Sequence, residues 1–253
     1  MNSSGTRFHT RELTADTYAD FTTFFQGSTG CACALYLFGR HLRPDAASPS
    51  DSDRPTARDW RVHELTAVEH LLHRGLVHGI LVYADREPVG WCNFGRAEEL
   101  PVTGKHTTPK RMLARDPSTD WRITCLLTKR SYRRQGVAMV ALEAAVAAIR
   151  RAGGGWIEAL PTSFPHRDLE YERLRKVHGA GSVEVTQYIA SSWPQREVPG
   201  VGSIQAFPVS SNSMGHTGTS TMFERLGFEI TAIDPLRDNG PRPGHHLVMR
   251  MRV

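Results

Sequence analysis

Cysteine is scarce in this chain: four in 253 residues, at positions 31, 33, 92 and 125. That is too few and too irregular for a disulfide framework. Cys31 and Cys33 form C-x-C, not the C-x-x-C of a zinc knuckle or redox pair. Cys92 and Cys125 sit in apolar, strand-like runs, where a thiol behaves as a small hydrophobe. A zinc-type H-E-x-x-H is missing too. The helix-spaced stretch 60–74 carries His63, Glu64, Glu69, His70 and His73, but Ala67 stands where the second ligand would fall. These residues read as the polar outer face of an amphipathic helix, and no metal is expected. Long apolar runs are also lacking; none approaches the roughly 18 residues of a spanning helix. The first eleven residues are polar and charged, unlike a secretory leader, so the expectation is a cytoplasmic protein with no membrane partner. Two phosphate loops are absent, G-x-x-x-x-G-K-[ST] and a G-x-G-x-x-G after a strand, which excludes those modes of nucleotide binding. The net charge of +5 is spread along the chain, without an aromatic-studded basic stretch. A basic balance can mean nucleic acid but suits a polyanionic cofactor equally well, so the charge alone does not choose, although nucleic acid is the less expected partner.

Hydrophobic residues at 40% and charged residues at 23% describe an ordinary globular chain. Its length suits one α/β domain, residues 1–253, carrying insertions. Residues 7–13 form a candidate strand, followed by a helix over 14–25 that opens on Thr14 and Asp16. Residues 31–38 are a short apolar run. Residues 42–59 collect Pro, Ser, Asp and Ala and read as a mobile loop. Val62, Leu65, Val68, Leu71 and Leu72 then share one helical face. Strands over 78–84 and 88–94, turned at Asp85, Arg86 and Glu87, form a hairpin. A polar stretch follows over 95–119, and residues 121–128 are the next strand.

That strand feeds the most informative segment. After Thr128 come Lys129, Arg130, Ser131 and Tyr132, then Arg133-Arg134-Gln135-Gly136-Val137-Ala138, and an alanine-rich helix runs to Arg151 before three glycines stop it. A helix start presents unpartnered N–H groups and partial positive charge. Gly136 leaves room for a phosphate against the backbone, Ala138 keeps the next position small, and the surrounding Lys and Arg add full charge. A solvated basic turn without a ligand is the competing reading of so short a motif.

The pattern Arg133-x-x-Gly136-x-Ala138, after an apolar strand and before a small-residue helix, resembles the acetyl-CoA pyrophosphate motif of GNAT N-acetyltransferases. Trp156-Ile-Glu-Ala-Leu-Pro161 is similar to the family's next strand. Met222-Phe-Glu-Arg-Leu-Gly-Phe228 is similar to its closing helix-turn-strand, with Phe223 where Tyr is usual. Residues 245–253 match its last strand, and Val89-Gly90-Trp91 its central hairpin. The likeness spans residues 78–253. It implies an α/β fold with a central mixed β-sheet flanked by helices and splayed central strands, and acetyl-CoA as co-substrate. It further implies that the main chain of Leu126, Leu127 and Thr128 pairs with the pantetheine arm. The backbone of Arg134, Gln135, Gly136, Val137, Ala138 and Met139, with Arg133, would hold the pyrophosphate. Phe223 and His216 would lie near the pantetheine.

Such chemistry needs a base, because an ammonium has no lone pair. Glu158, a carboxylate in an apolar strand where burial raises a pKa, is the first candidate. A salt bridge on the other face of the sheet is its alternative. His216, with an ordinary pKa near neutrality, is the second candidate. Phe223 cannot donate to the leaving thiolate, so Ser220, Thr219 or Thr221 takes that role. Residues 167–218 are longer than the family's usual connection. They read as a helical run (168–177), an extended run (183–190) and a Pro/Gly/Ser-rich tail. They are expected to cap the acceptor site, offering Asp168, Glu170, Glu172, Tyr188 or Trp193. The expected acceptor is a small-molecule amine, such as a polyamine or an aminoglycoside-like antibiotic; the latter would make the protein an antibiotic-resistance factor. An acetyl-CoA sensor without turnover and a protein- or ribosome-directed N-acetyltransferase are the alternatives, and a homodimer stays open.

Overall fold

Alternation of apolar residues makes an antiparallel meander the first feature of the chain. In the computed structural model, residues 8–26, 57–100, 118–208, 216–233 and 247–253 are described, in two compact units, 1–156 with Val253 and 157–252. In the first unit, strand β1 (Phe8–Glu12) leads through a 3-10 turn (Ala15–Thr17) into helix α1 (Tyr18–Gln26). Thr14 and Thr17 cap that turn reciprocally. Helix α2 (Ala57–His73) is followed by β2 (His78–Ala84), β3 (Glu87–Arg96) and β4 (Trp121–Thr128). The strands lie in the order β1-β2-β3-β4, each pair antiparallel. After a second 3-10 turn (Arg130–Tyr132), helix α3 (Val137–Arg151) completes the unit. Of the predicted mobile loop, residues 42–56 lie outside the described residues. Residues 57–59 belong to α2, which begins one turn earlier than the apolar spacing indicated. The apolar run 31–38, with Cys31 and Cys33, also lies outside them.

Period-two alternation sends the two faces of β2–β4 to different helices. Leu81, Tyr83, Trp91 and Cys125 pack with Phe21, Phe24 and Phe25 of α1 and Leu65 and Val68 of α2. Cys92 and Cys125 are buried and in no disulfide, in keeping with the small-hydrophobe role expected of them. On the opposite face α3 comes so close that a Cβ on Gly90 would collide with Val137 Cγ1. Burial of Val137, Ala141, Leu142, Ala145, Val146 and Ile149 gives α3 its inward stripe. The hairpin turn narrows to Asp85 and Arg86, with Asp85 at φ 52° and Glu87 already in β3. Pro88, which has no N–H to give a ladder, sits at the register shift between Val82 and Tyr83.

In the second unit, β5 (Trp156–Ala159), β11 (Leu247–Arg252) and β10 (Glu229–Ile233) are neighbours in that order, and β10 pairs antiparallel with β11. The long connection is built, in chain order, from β6 (Pro165–His166), helix α4 (Leu169–His178), helix α5 (Val183–Ser192), β7 (Gln195–Val198), β8 (Gly202–Gln205) and β9 (Phe207–Pro208). The short helix α6 (Ser220–Glu224) precedes β10. Residues 183–190 are helical, not extended as expected. Val183, Val185, Thr186 and Ile189 favour strand individually. However, Ser182 caps the helix by accepting from Val185 N at 3.3 Å, and Val185 and Ile189, one turn apart, enter a core with Tyr171 and Trp193. Tertiary burial outweighs a propensity difference of under a kcal/mol or so per residue. The predicted loose tail contains the β7–β8 hairpin.

Candidate functional site

The turn between β4 and α3 concentrates unspent polar capacity. Main-chain N–H groups of Arg134, Gln135, Gly136, Val137 and Ala138 donate to no carbonyl of the described residues, whereas Met139 N and Val140 N both donate to the Gly136 carbonyl at 2.9 and 3.1 Å. Five consecutive amides, Arg134 to Ala138, thus lack such a bond, whereas the amide of Met139, also expected at the pyrophosphate, is spent inside the helix. Gly136 caps α3 in the left-handed region at φ 89°, and Arg134 also has positive φ, 61°. A non-glycine residue held there costs about 1–2 kcal/mol, and such strain collects where backbone amides are turned toward a ligand. A Cβ on Gly136 would meet no atom of the described residues within 4 Å. Arg130, Arg133 and Arg134 make no ion pair among the described residues.

Long-range contacts fix this turn in place. Lys129 N donates to Val89 O at 2.9 Å, Lys129 Nζ donates to Glu87 at 2.8 Å and Tyr132 Oη donates to Glu87 at 2.9 Å. Hydrogen bonds from Lys129 and then Tyr132 hold the Glu87 carboxyl below its ordinary pKa. Sequence spacing does not reveal Glu87, because its partners lie more than forty residues away. Gln135 Nε2 folds back onto Ser131 O at 2.9 Å. On β4, Leu126, Leu127 and Thr128 face Cys92, Trp91 and Gly90 of β3 along one edge. Leu126 is buried, and Leu127 and Thr128 are half-buried.

The remaining candidates belong to the second unit. Glu158 is 2% exposed, between buried Ile157 and Ala159 on β5, so that strand is enclosed on both faces there. His216 is half-buried. Ser220 and Phe223 are fully enclosed. Ser220 N donates to Thr162 O at 2.8 Å, and Phe223 meets Phe228 edge-on at 5.1 Å. In the long connection, Asp168 caps α4 by accepting from Tyr171 N at 2.9 Å. It also accepts from Tyr188 Oη at 3.0 Å and contacts His166 Nε2 at 3.4 Å. Burial alone would raise its pKa, but these hydrogen bonds outweigh burial and hold it below the ordinary value. Glu170 pairs with Arg173, and Trp193 is buried. Of the acceptor-side candidates only Glu172 is wholly on the surface. Among the described residues no group of His, Cys, Asp and Glu could hold a metal ion, and no helix is long and apolar enough to cross a membrane.

No protein-family model and no curated protein matches the chain. Among solved structures it is similar to histone acetyltransferase HPA2 and related acetyltransferase from Corynebacterium glutamicum, at 13% identity and TM-score 0.43 over 96% of this chain and 94% of that one. It is similar to an N-acetyltransferase from Staphylococcus aureus Mu50, at 9% identity and TM-score 0.42, covering 97% and 98% of the two chains. It is also similar to the ribosomal-protein-S18-alanine N-acetyltransferase of Escherichia coli, at 10% identity and TM-score 0.40, covering 98% and 94%.

Proposed function

We propose that this chain is a GNAT-type N-acetyltransferase, passing the acetyl group of acetyl-CoA to the primary amine of a small molecule. One observation supports this above others: five amides that find no carbonyl among the described residues lead through the left-handed Gly136 into a fifteen-residue helix, beside three guanidiniums that make no ion pair with a described residue. A diphosphate fits that set in charge and in acceptor oxygens. The helix dipole contributes only about 0.3–1 kcal/mol, so charge-assisted hydrogen bonds from the amides and arginines supply most of the affinity.

Acetyl-CoA, when bound, would supply an activated acyl thioester; the chain's own residues do the rest. The amides of Arg134 to Ala138, with Arg133, hold the diphosphate. The main chain of Leu126, Leu127 and Thr128 takes the pantetheine arm as an added strand. Glu158 removes the proton that keeps the amine from attacking, with His216 as the second candidate. Ser220 is the proposed hydrogen-bond donor toward the sulfur.

Thermal shift with acetyl-CoA, followed by thiol release over a panel of aminoglycosides, polyamines and peptide N-termini, tests the reading. Stabilisation plus thiol release with one acceptor class is the expected result. No stabilisation at saturating acetyl-CoA and no thiol release sink it. A second reading, binding without turnover, is favoured by Phe223, which is buried and has no hydroxyl where a leaving-group acid would stand. Stabilisation without thiol release from any acceptor supports that reading instead.

A further inference from the structure

The ladder between β3 and β4 is interrupted at one register position. Asn93 pairs with Cys125 but Phe94 with Ile123, so Thr124 is an extra residue, a bulge in β4. The Asn93 side chain spans the bulge: Nδ2 donates to Thr124 Oγ1 at 2.7 Å. The two residues are 1% and 7% exposed. Asn93 Oδ1 has no hydrogen-bond partner among the described residues, so the bond to Thr124 is the one these residues supply to orient this amide. A buried amide with one end unpaired is a poor way to stabilise a sheet, and an apolar pair of the same shape would serve stability better. What the pair does supply is a fixed geometry at the register shift of β4, two residues before Leu126.

We propose that Asn93 and Thr124 form a clamp that holds the β4 bulge in one geometry and so aims the main chain of Leu126, Leu127 and Thr128 at the thioester arm. The clamp rests on the acetyl-CoA reading above, and both residues are positioning residues; neither touches the reacting atoms. Removing the clamp leaves the diphosphate cradle intact while the acyl end of the co-substrate loses its alignment. Misplacement on the order of 1 Å costs up to about a hundredfold in rate.

Thr124→Val keeps the shape and removes the bond, and Asn93→Ala removes the other partner. Each is expected to lower kcat between about tenfold and a hundredfold. KM for acetyl-CoA should stay within about twofold, the signature of an interaction that aids the reacting state rather than binding. Hydrogen exchange should quicken at residues 125–128 and not in β1, β2 or α3. Thr124→Ser, which keeps the hydroxyl, restores both readouts, and the double variant is no worse than the poorer single one, because the residues act as one unit. Unchanged kcat with unchanged exchange, exchange rising across all four strands, or Thr124→Ser as impaired as Thr124→Val overturns the clamp. A wild-type protein that neither binds acetyl-CoA nor releases thiol overturns the functional reading instead; comparing exchange in Thr124→Val and wild type still decides the clamp.

Discussion

Two charged regions of this molecule use their polar groups in opposite ways. Around α4 and α5, charges are consumed locally: Asp168 caps a helix and takes Tyr188, Glu170 pairs with Arg173, and Glu184 lies 3.7 Å from His178. At the start of α3, five amides and three arginines make no hydrogen bond to a carbonyl or ion pair among the described residues. The backbone there is held at positive φ to keep those amides together. The contrast separates a segment that uses polarity to fold from one whose polarity is not used by the described residues around it. Net charge alone does not make that distinction.

The sharpest way to break the contrast is at Gly136. Gly136→Glu places bulk and negative charge over the cradle. It is expected to weaken acetyl-CoA binding at least about a hundredfold, well beyond the 1–2 kcal/mol of left-handed strain, as isothermal calorimetry beside a melting curve would show. Gly136→Ala carries the strain without the charge and should fall between the variant and wild type. Glu158→Gln comes next. Loss of a general base lowers turnover by about 10²–10⁴ while leaving acetyl-CoA affinity unchanged; stopped-flow thiol release at several pH values checks this, and a loss of binding would assign Glu158 to the fold instead.

Trp193→Ala probes the other region. Removing the centre of the Tyr171, Val185 and Ile189 cluster costs about 3–5 kcal/mol, seen as faster hydrogen exchange through α4 and α5. Amide exchange in α3 and affinity for acetyl-CoA should stay as in wild type; if the cradle loosens equally, the two regions are not energetically separate. The smallest effect concerns pH. Asp168 has a lower pKa folded than unfolded, so its contribution is present above the unfolded carboxyl value and disappears as pH falls through the folded one. Protection of α4 and α5 should therefore fade below about pH 4. Asp168→Asn should show that reduced protection already at pH 7 and respond less to acid, measured by exchange at matched intrinsic rates.

Much of the first unit was legible because its signals are local. The strand Trp121–Thr128 and the end of α3 at Arg151 agree with the sequence reading, since apolar alternation and a glycine stop report directly on neighbouring residues. The helix start at Gly136 and Val137 was legible for the same reason, being a contiguous run of backbone. Glu87, which pins the turn, and the Asn93–Thr124 pair were not, since each depends on contacts some thirty to forty-five residues apart. The helix Val183–Ser192 was misread because β-branched residues favour strand until a cap and a hydrophobic core select the helix.

The amino-acid order by itself determined the strand–turn–helix run at 121–151, its open glycine and the basic character around it, because these follow from nearest-neighbour chemistry. Tertiary structure alone decided which amides and arginines go without a partner among the described residues and where the β4 register shifts. Those properties depend on every group that could have reached them through space, and sequence distance carries no record of that.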